Sequence, residues 1–127
     1  MEIRPMLELT RIDFDNLSSK IMKVKCEDNI GMGEIKKQSL FELLEIKELL
    51  SEKIDGSKIT NVDRLKGRIN KLNDSTTQNI NHLLDLNESL SNKDSVMKNK
   101  KNLRRARKCS QSIDNRVQKA LRKFQKQ

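Results

Sequence analysis

A chain of 127 residues has room for one domain. With 34% apolar against 35% charged residues, its core must be a set of stripes rather than a broad interior, and three Phe without Trp or Tyr work against single-strand binding by base stacking. The net charge of +9 is concentrated: residues 1–92 carry 14 Lys/Arg against 16 Asp/Glu, whereas residues 93–127 carry 13 against 2, so a nearly neutral body ends in a strongly basic last quarter.

Four Gly and one Pro leave little turn chemistry and favour a few long helices. No stretch has more than two consecutive apolar residues, which excludes a transmembrane helix and the apolar core of a signal peptide. Cys26 and Cys109 stand alone, as reduced thiols do, and a cytoplasmic protein is expected. The single histidine, His82, supports neither a metal set nor a proton relay. No metal, cofactor or catalytic site is expected, and the chain reads as a non-enzyme.

In chain order, residues 1–26 read as an N-terminal arm and a short helix. Pro5 and the alternation over 6–9 permit an extended start, and an Asp cap at Asp13 or Asp15 opens a helix with Phe14, Leu17, Ile21 and Val24 at helical spacing. EDNIGMGE (27–34) reads as a hinge, since its glycines lack the rest of a phosphate-binding loop. Residues 34–55 form an acidic-flanked helix. Leu40, Leu43, Leu44, Leu50 and Ile54 share an arc of about 120°, with Glu42, Glu45, Glu48, Glu52 and Asp55 opposite and Phe41 and Leu49 outside the stripe. Gly56 ends that helix.

The next helix, 60–90, begins near Thr60 with Asp63 in a capping-box-like place. Val62, Leu65, Ile69, Leu72, Thr76, Asn79, Leu83, Leu86 and Leu90 form a heptad seam roughly 45 Å long. Thr76 and Asn79 put polar groups in mid-seam. They mark either a weak turn, with Ile80 and Leu84 filling in as the stripe drifts, or a position that selects register. SNKDSVMKNKKN (91–102) then interrupts the seam.

The last helix, 103–124, is amphipathic. Leu103, Ala106, Ser110, Ile113, Val117, Ala120, Leu121 and Phe124 fit an arc of about 100°. Such a stripe is to be buried by the chain's own body, by a partner helix, or by an anionic membrane, which its single aromatic suits poorly. For a partner helix the contact residues are Leu103, Ile113, Val117, Leu121 and Phe124. The other side carries Arg104, Arg105, Arg107, Lys108, Arg116, Lys119, Arg122 and Lys123, with Lys100 and Lys101 just upstream. These ten are the candidates for phosphate contact, in a largely sequence-blind mode whose affinity falls steeply with salt.

Over residues 34–90, LFELLEIKELLSEKI with Lys47 and Leu50 near its end, a loop, and RLKGRINKLNDSTTQNINHLLDLNESL resemble the bacterial flagellar export chaperones of the FlgN type. The resemblance implies a small cytosolic helical chaperone whose C-terminal amphipathic helix engages an exported subunit. By position that surface would include Ile113, Val117, Leu121 and Phe124. The +11 tail departs from the acidic character common in such chaperones.

The expected fold is all-α: an elongated three- or four-helix bundle or antiparallel coiled-coil hairpin, ending in the basic amphipathic helix. The expected function is a non-enzymatic protein-binding chaperone or adaptor that holds a partner helix, with homodimerisation compatible. A nucleic-acid-associated protein acting through the basic face is the alternative.

Overall fold

The computed structural model describes the backbone of residues 4–55 and 62–125, with side chains described at 9–50, 64–119 and 122. Four helices account for almost all of it: α1 (Arg4–Met22), α2 (Ile30–Asp55), α3 (Val62–Asn87) and α4 (Lys93–Gln125), with no strand among the described residues. α1 packs on α2 and α4, and α3 packs on α2 and α4, while among the described residues the backbones of the diagonal pairs α1–α3 and α2–α4 stay apart. Contacts at two heights fix the directions: Met22–Lys36 with Asp15–Lys47 sets α2 antiparallel to α1, and Glu42–Asn79 with Glu45–Arg68 sets α3 antiparallel to α2. Asn73–Ser110 with Asn81–Arg107 sets α4 antiparallel to α3, and Lys25–Asn99 with Asp13–Arg116 sets it antiparallel to α1. The result is an up-down-up-down square bundle.

Each helix contributes one seam to the centre. Those of α3 (Leu65, Ile69, Asn73, Thr76, Ile80, Leu83, Asn87) and α4 (Ser95, Asn99, Leu103, Ala106, Ser110, Ile113, Val117) repeat the same 4-4-3-4-3-4 spacing, which keeps a seam on one face of neighbouring helices in coiled-coil-like packing. Phe14, Leu17, Ile21 and Val24 face them from the α1 side, and Met32, Leu43, Ile46 and Leu50 from α2. Burying a side chain of this size contributes about 1.5–3 kcal/mol.

Polar residues make up part of the core, and each has partners. Glu42, 8% exposed, accepts from Ser75 Oγ (2.7 Å), Gln38 Nε2 (3.2 Å), Asn79 Nδ2 (3.1 Å) and Thr76 Oγ1 (3.3 Å), tying α2 to α3. Ser110 meets Asn73 Oδ1 (3.2 Å) and Thr77 Oγ1 (2.8 Å) between α3 and α4. Near the loop end, Asn99 accepts from the Lys25 N–H (2.8 Å) and donates to the Lys25 carbonyl (2.6 Å) and to Asn87 Oδ1 (2.9 Å). No buried side-chain N or O among the described residues lacks a partner.

Several boundaries differ from the sequence reading. The stretch 5–9, expected to start extended, is helical: α1 is described from Arg4, and Pro5 lies near its start, where a missing N–H costs little. The glycines of GMG lie inside the first turn of α2 rather than in a hinge. Asn29 caps that helix, its Oδ1 accepting from the Met32 N–H at 2.9 Å, and the real connection is 23–29. Lys36 Nζ closes the end of α1 on the carbonyls of Met22 (2.9 Å) and Val24 (2.6 Å). The last helix starts at Lys93, ten residues before 103. Asn92 Oδ1 accepts from the N–H groups of Asp94 and Ser95, so only 88–92 breaks the chain between α3 and α4.

Two seams are also rotated. On α2 the core takes Ile46 and Glu42, while Leu44 and Phe41 point outward and Leu40 is half-buried. On α3 the buried positions are Asn73, Ile80 and Asn87 rather than Leu72, Asn79 and Leu86, which are half-buried beside them. The Thr60 start and the Gly56 stop lie outside the described residues.

Candidate nucleic-acid interface

α4 holds 12 Lys/Arg against two Asp, and its packing sorts them. Leu103, Ile113 and Val117 are buried against the chain's own helices, as are Ala106 and Ser110, so the body of the protein covers the stripe. On the folded bundle these three are core residues and not an exposed partner surface. Leu121 and Phe124 lie outside the described side chains, as does Lys123.

Of the ten candidate cations, three are engaged at the flanks of α4. Lys100 pairs with Glu88 (3.4 Å), Arg107 donates to Asn81 Oδ1 (3.4 Å), and Arg116 binds Asp13 Oδ2 at 2.5 Å. The Asp13 hydrogen bond and charge raise the Arg116 guanidinium further above its ordinary value, so it is a fixed cation. Lys101, Arg104, Arg105, Lys108, Lys119 and Arg122 are all exposed and make no ion pair among the described residues.

Those six fall on one outward arc of about 100°, and from Lys101 to Arg122 they span about 30 Å of straight helix. Between them the same arc presents Ser112 and Asn115, neutral and exposed, with Gln111 just beyond its edge. The neighbours α1 and α3 carry no comparable excess, and α2 stands at the opposite corner of the square. The face is therefore a narrow strip of cations; Asp94 shares its azimuth about two turns before Lys101 and pairs with Lys98, and no carboxylate of α4 lies on the arc between Lys101 and Arg122.

Elsewhere the chemistry is sparse. His82 is exposed. No group of three or more His, Cys, Asp or Glu among the described residues is placed to hold a metal ion, and no described helix is long and apolar enough to cross a membrane. Burial raises both thiols above the ordinary cysteine range. Lys36 opposes the shift at Cys26, and Lys20 and Arg116 oppose it at Cys109, where Asp13 adds to it. An open cleft at the loop end is lined by Glu27, Asp28, Asn29, Ser89, Leu90, Ser91 and Asn92. Glu27 there adopts φ 50° and accepts from Ser95 Oγ at 2.6 Å.

Sequence reasoning found the cationic strip, because its charges segregate cleanly on the helical wheel. It missed the separation of α4 cations into engaged flanks and a free outer arc, which depends on where α1 and α3 pack. No protein-family model, curated protein or solved structure matches the chain.

Proposed function

We propose that the chain is a non-enzymatic binding protein whose working surface is the outer arc of α4, and that this arc holds the phosphate backbone of nucleic acid. The observation that carries the reading is the set of six exposed cations without ion pairs among the described residues, aligned over about 30 Å. Cations on a merely solvated surface are usually interspersed with acids; here Asp94 and Asp114 are the only acids on the helix, and Asp114 is half-buried to one side. Backbone binding requires no aromatic residue and no reading motif.

The test is an anisotropy titration with duplex DNA of arbitrary sequence between about 50 and 200 mM salt. Six phosphate contacts give a slope of about −5 in log K against log salt, an affinity loss of about 10³-fold over that range. With Lys101→Gln, Arg104→Gln and Arg105→Gln together, the slope should drop to about −3 and the loss to about 40-fold. A triple variant with the wild-type slope, or binding indifferent to salt, would refute the assignment.

A second reading, a chaperone or adaptor for a partner helix, is supported by the inner face of α4. Of its seven core positions, Ser95, Asn99, Ala106 and Ser110 are small or polar, so a more apolar helix could compete for the same seat. This is the use that the FlgN-type resemblance implies for a surface including Ile113 and Val117, here reached by opening the bundle. Native-state hydrogen exchange tests it: α4 amides should open as a unit at lower free energy than those of α2 and α3. Uniform protection across all four helices would remove this reading.

A further inference from the structure

α2 packs only on α1 and α3, so the arc turned away from the core has no cover within the described chain. Along that arc run Glu34, Lys37, Phe41, Leu44 and Glu48, at intervals of three, four, three and four residues, which is the a/d spacing of a helix–helix seam. All five are exposed, Phe41 by 58% and Leu44 by 46%. Neither Lys37 nor Glu48 has an ion-pair partner among the described residues.

We propose that this arc is a self-complementary docking seam, and that its occupant is the same seam of a second copy of the chain, running antiparallel. A two-fold axis between Phe41 and Leu44 sets Phe41 on Leu44 of the second copy and Lys37 on Glu48 of the second copy, with each contact repeated by symmetry. Antiparallel seams pair a positions with d positions, and this register does so at every step. The parallel alternative stacks Lys37 on Lys37 and Glu48 on Glu48, so charge selects the antiparallel arrangement. Leu9 and Ile12 make a second exposed apolar pair on α1. The next outward residue there, Asn16, is neutral, and nothing on that surface specifies an occupant. The dimer seam does not depend on the nucleic-acid reading.

The experiment is sedimentation of the full chain, freed of nucleic acid, from about 1 μM to about 1 mM, the range in which a small isologous contact populates both monomer and dimer. Lys37→Glu and Glu48→Lys should each weaken the dimer about 10-fold or more, by putting like charges together twice. Joined in one chain they should restore it, since the pairs re-form with signs exchanged. These side chains are 11 positions apart on the solvent side of one helix, so rescue cannot arise within a single copy. A chain monomeric at every concentration, single reversals without effect, or a double variant no tighter than the singles would each overturn the proposal.

Discussion

Replacing Asn99 by Ala tests whether the polar layers fasten α4. Asn99 is 1% exposed and holds three groups: the Lys25 N–H, the Lys25 carbonyl and Asn87 Oδ1. Asn87 is fully buried, its own Nδ2 is given to the Val96 carbonyl at 2.9 Å, and Asn99 supplies the hydrogen bond that its Oδ1 accepts. Leaving that acceptor without a partner costs about 1–3 kcal/mol. The Lys25 amide lies on an exposed residue, where water can replace the lost bonds, so each contributes only about 0.5–1 kcal/mol. Helix propensity returns about 0.5 kcal/mol for Ala. The net loss is about 2–3 kcal/mol. In urea, with a slope of about 1–3 kcal/mol per molar for small proteins, the midpoint should move down by about 1–2 M at unchanged slope. Asn87→Ala made in the same chain should be non-additive by about 1 kcal/mol or more, because the orphaned acceptor is then gone. A single-variant cost below about 0.5 kcal/mol, or strict additivity, would refute the claim that this layer fixes α4.

Two further outcomes follow from other layers of the bundle. Glu42→Gln should change stability by less than about 1 kcal/mol, because Asn79 can turn its amide to accept from the new NH2 and Thr76 already has the Leu72 carbonyl at 2.9 Å, whereas Glu42→Ala should cost about 2 kcal/mol in a urea melt. Cys26 and Cys109 should alkylate more slowly in the folded chain than in urea at the same pH, since burial raises both thiols. With the folded value above the unfolded one, their contribution to stability is fully present below the unfolded thiol range and is lost as pH rises through the folded one; a melt that gains stability across that alkaline window would contradict this.

The inner face of α4 was legible because its large residues, Leu103, Ile113 and Val117, recur at helical spacing and every cation avoids them. Phe14, Leu17, Ile21 and Val24 were legible for the same reason. α2 was not, because Leu43 and Leu44 are adjacent and point to different sides. Two apolar seams can be drawn through them, and only packing shows that Ile46 belongs to the inner one. On α3 the seam passes through Asn73 and Asn87, which hydrophobicity assigns to solvent. Their burial depends on Ser110 and Asn99, residues 37 and 12 positions away, so no local pattern contains it. Thr76 is buried and Asn79 half-buried, Ile80 takes the core place beside them as the drifting stripe allowed, and the group both polar residues meet, Glu42, is the residue that a solvent-facing acidic flank had seemed to explain.

The placement of the two exposed seams bears on what a dimer would do. α2 and α4 occupy opposite corners of the square, so joining two copies through α2 leaves both cationic arcs pointing away from each other. Contact through any face nearer α4 would bring two helices of net charge +10 together, at a cost that salt only partly screens. On the proposed reading of α4, the same separation that removes repulsion would make the proposed dimer divalent toward a polyanion, one backbone to each copy. Lys37→Glu should therefore leave the anisotropy salt slope of a single duplex unchanged while abolishing the bridging of two duplexes in a pull-down with labelled and tethered DNA. Bridging that survives the loss of the dimer would mean that a single bundle has a second anion surface, and the division of labour between α2 and α4 would be wrong.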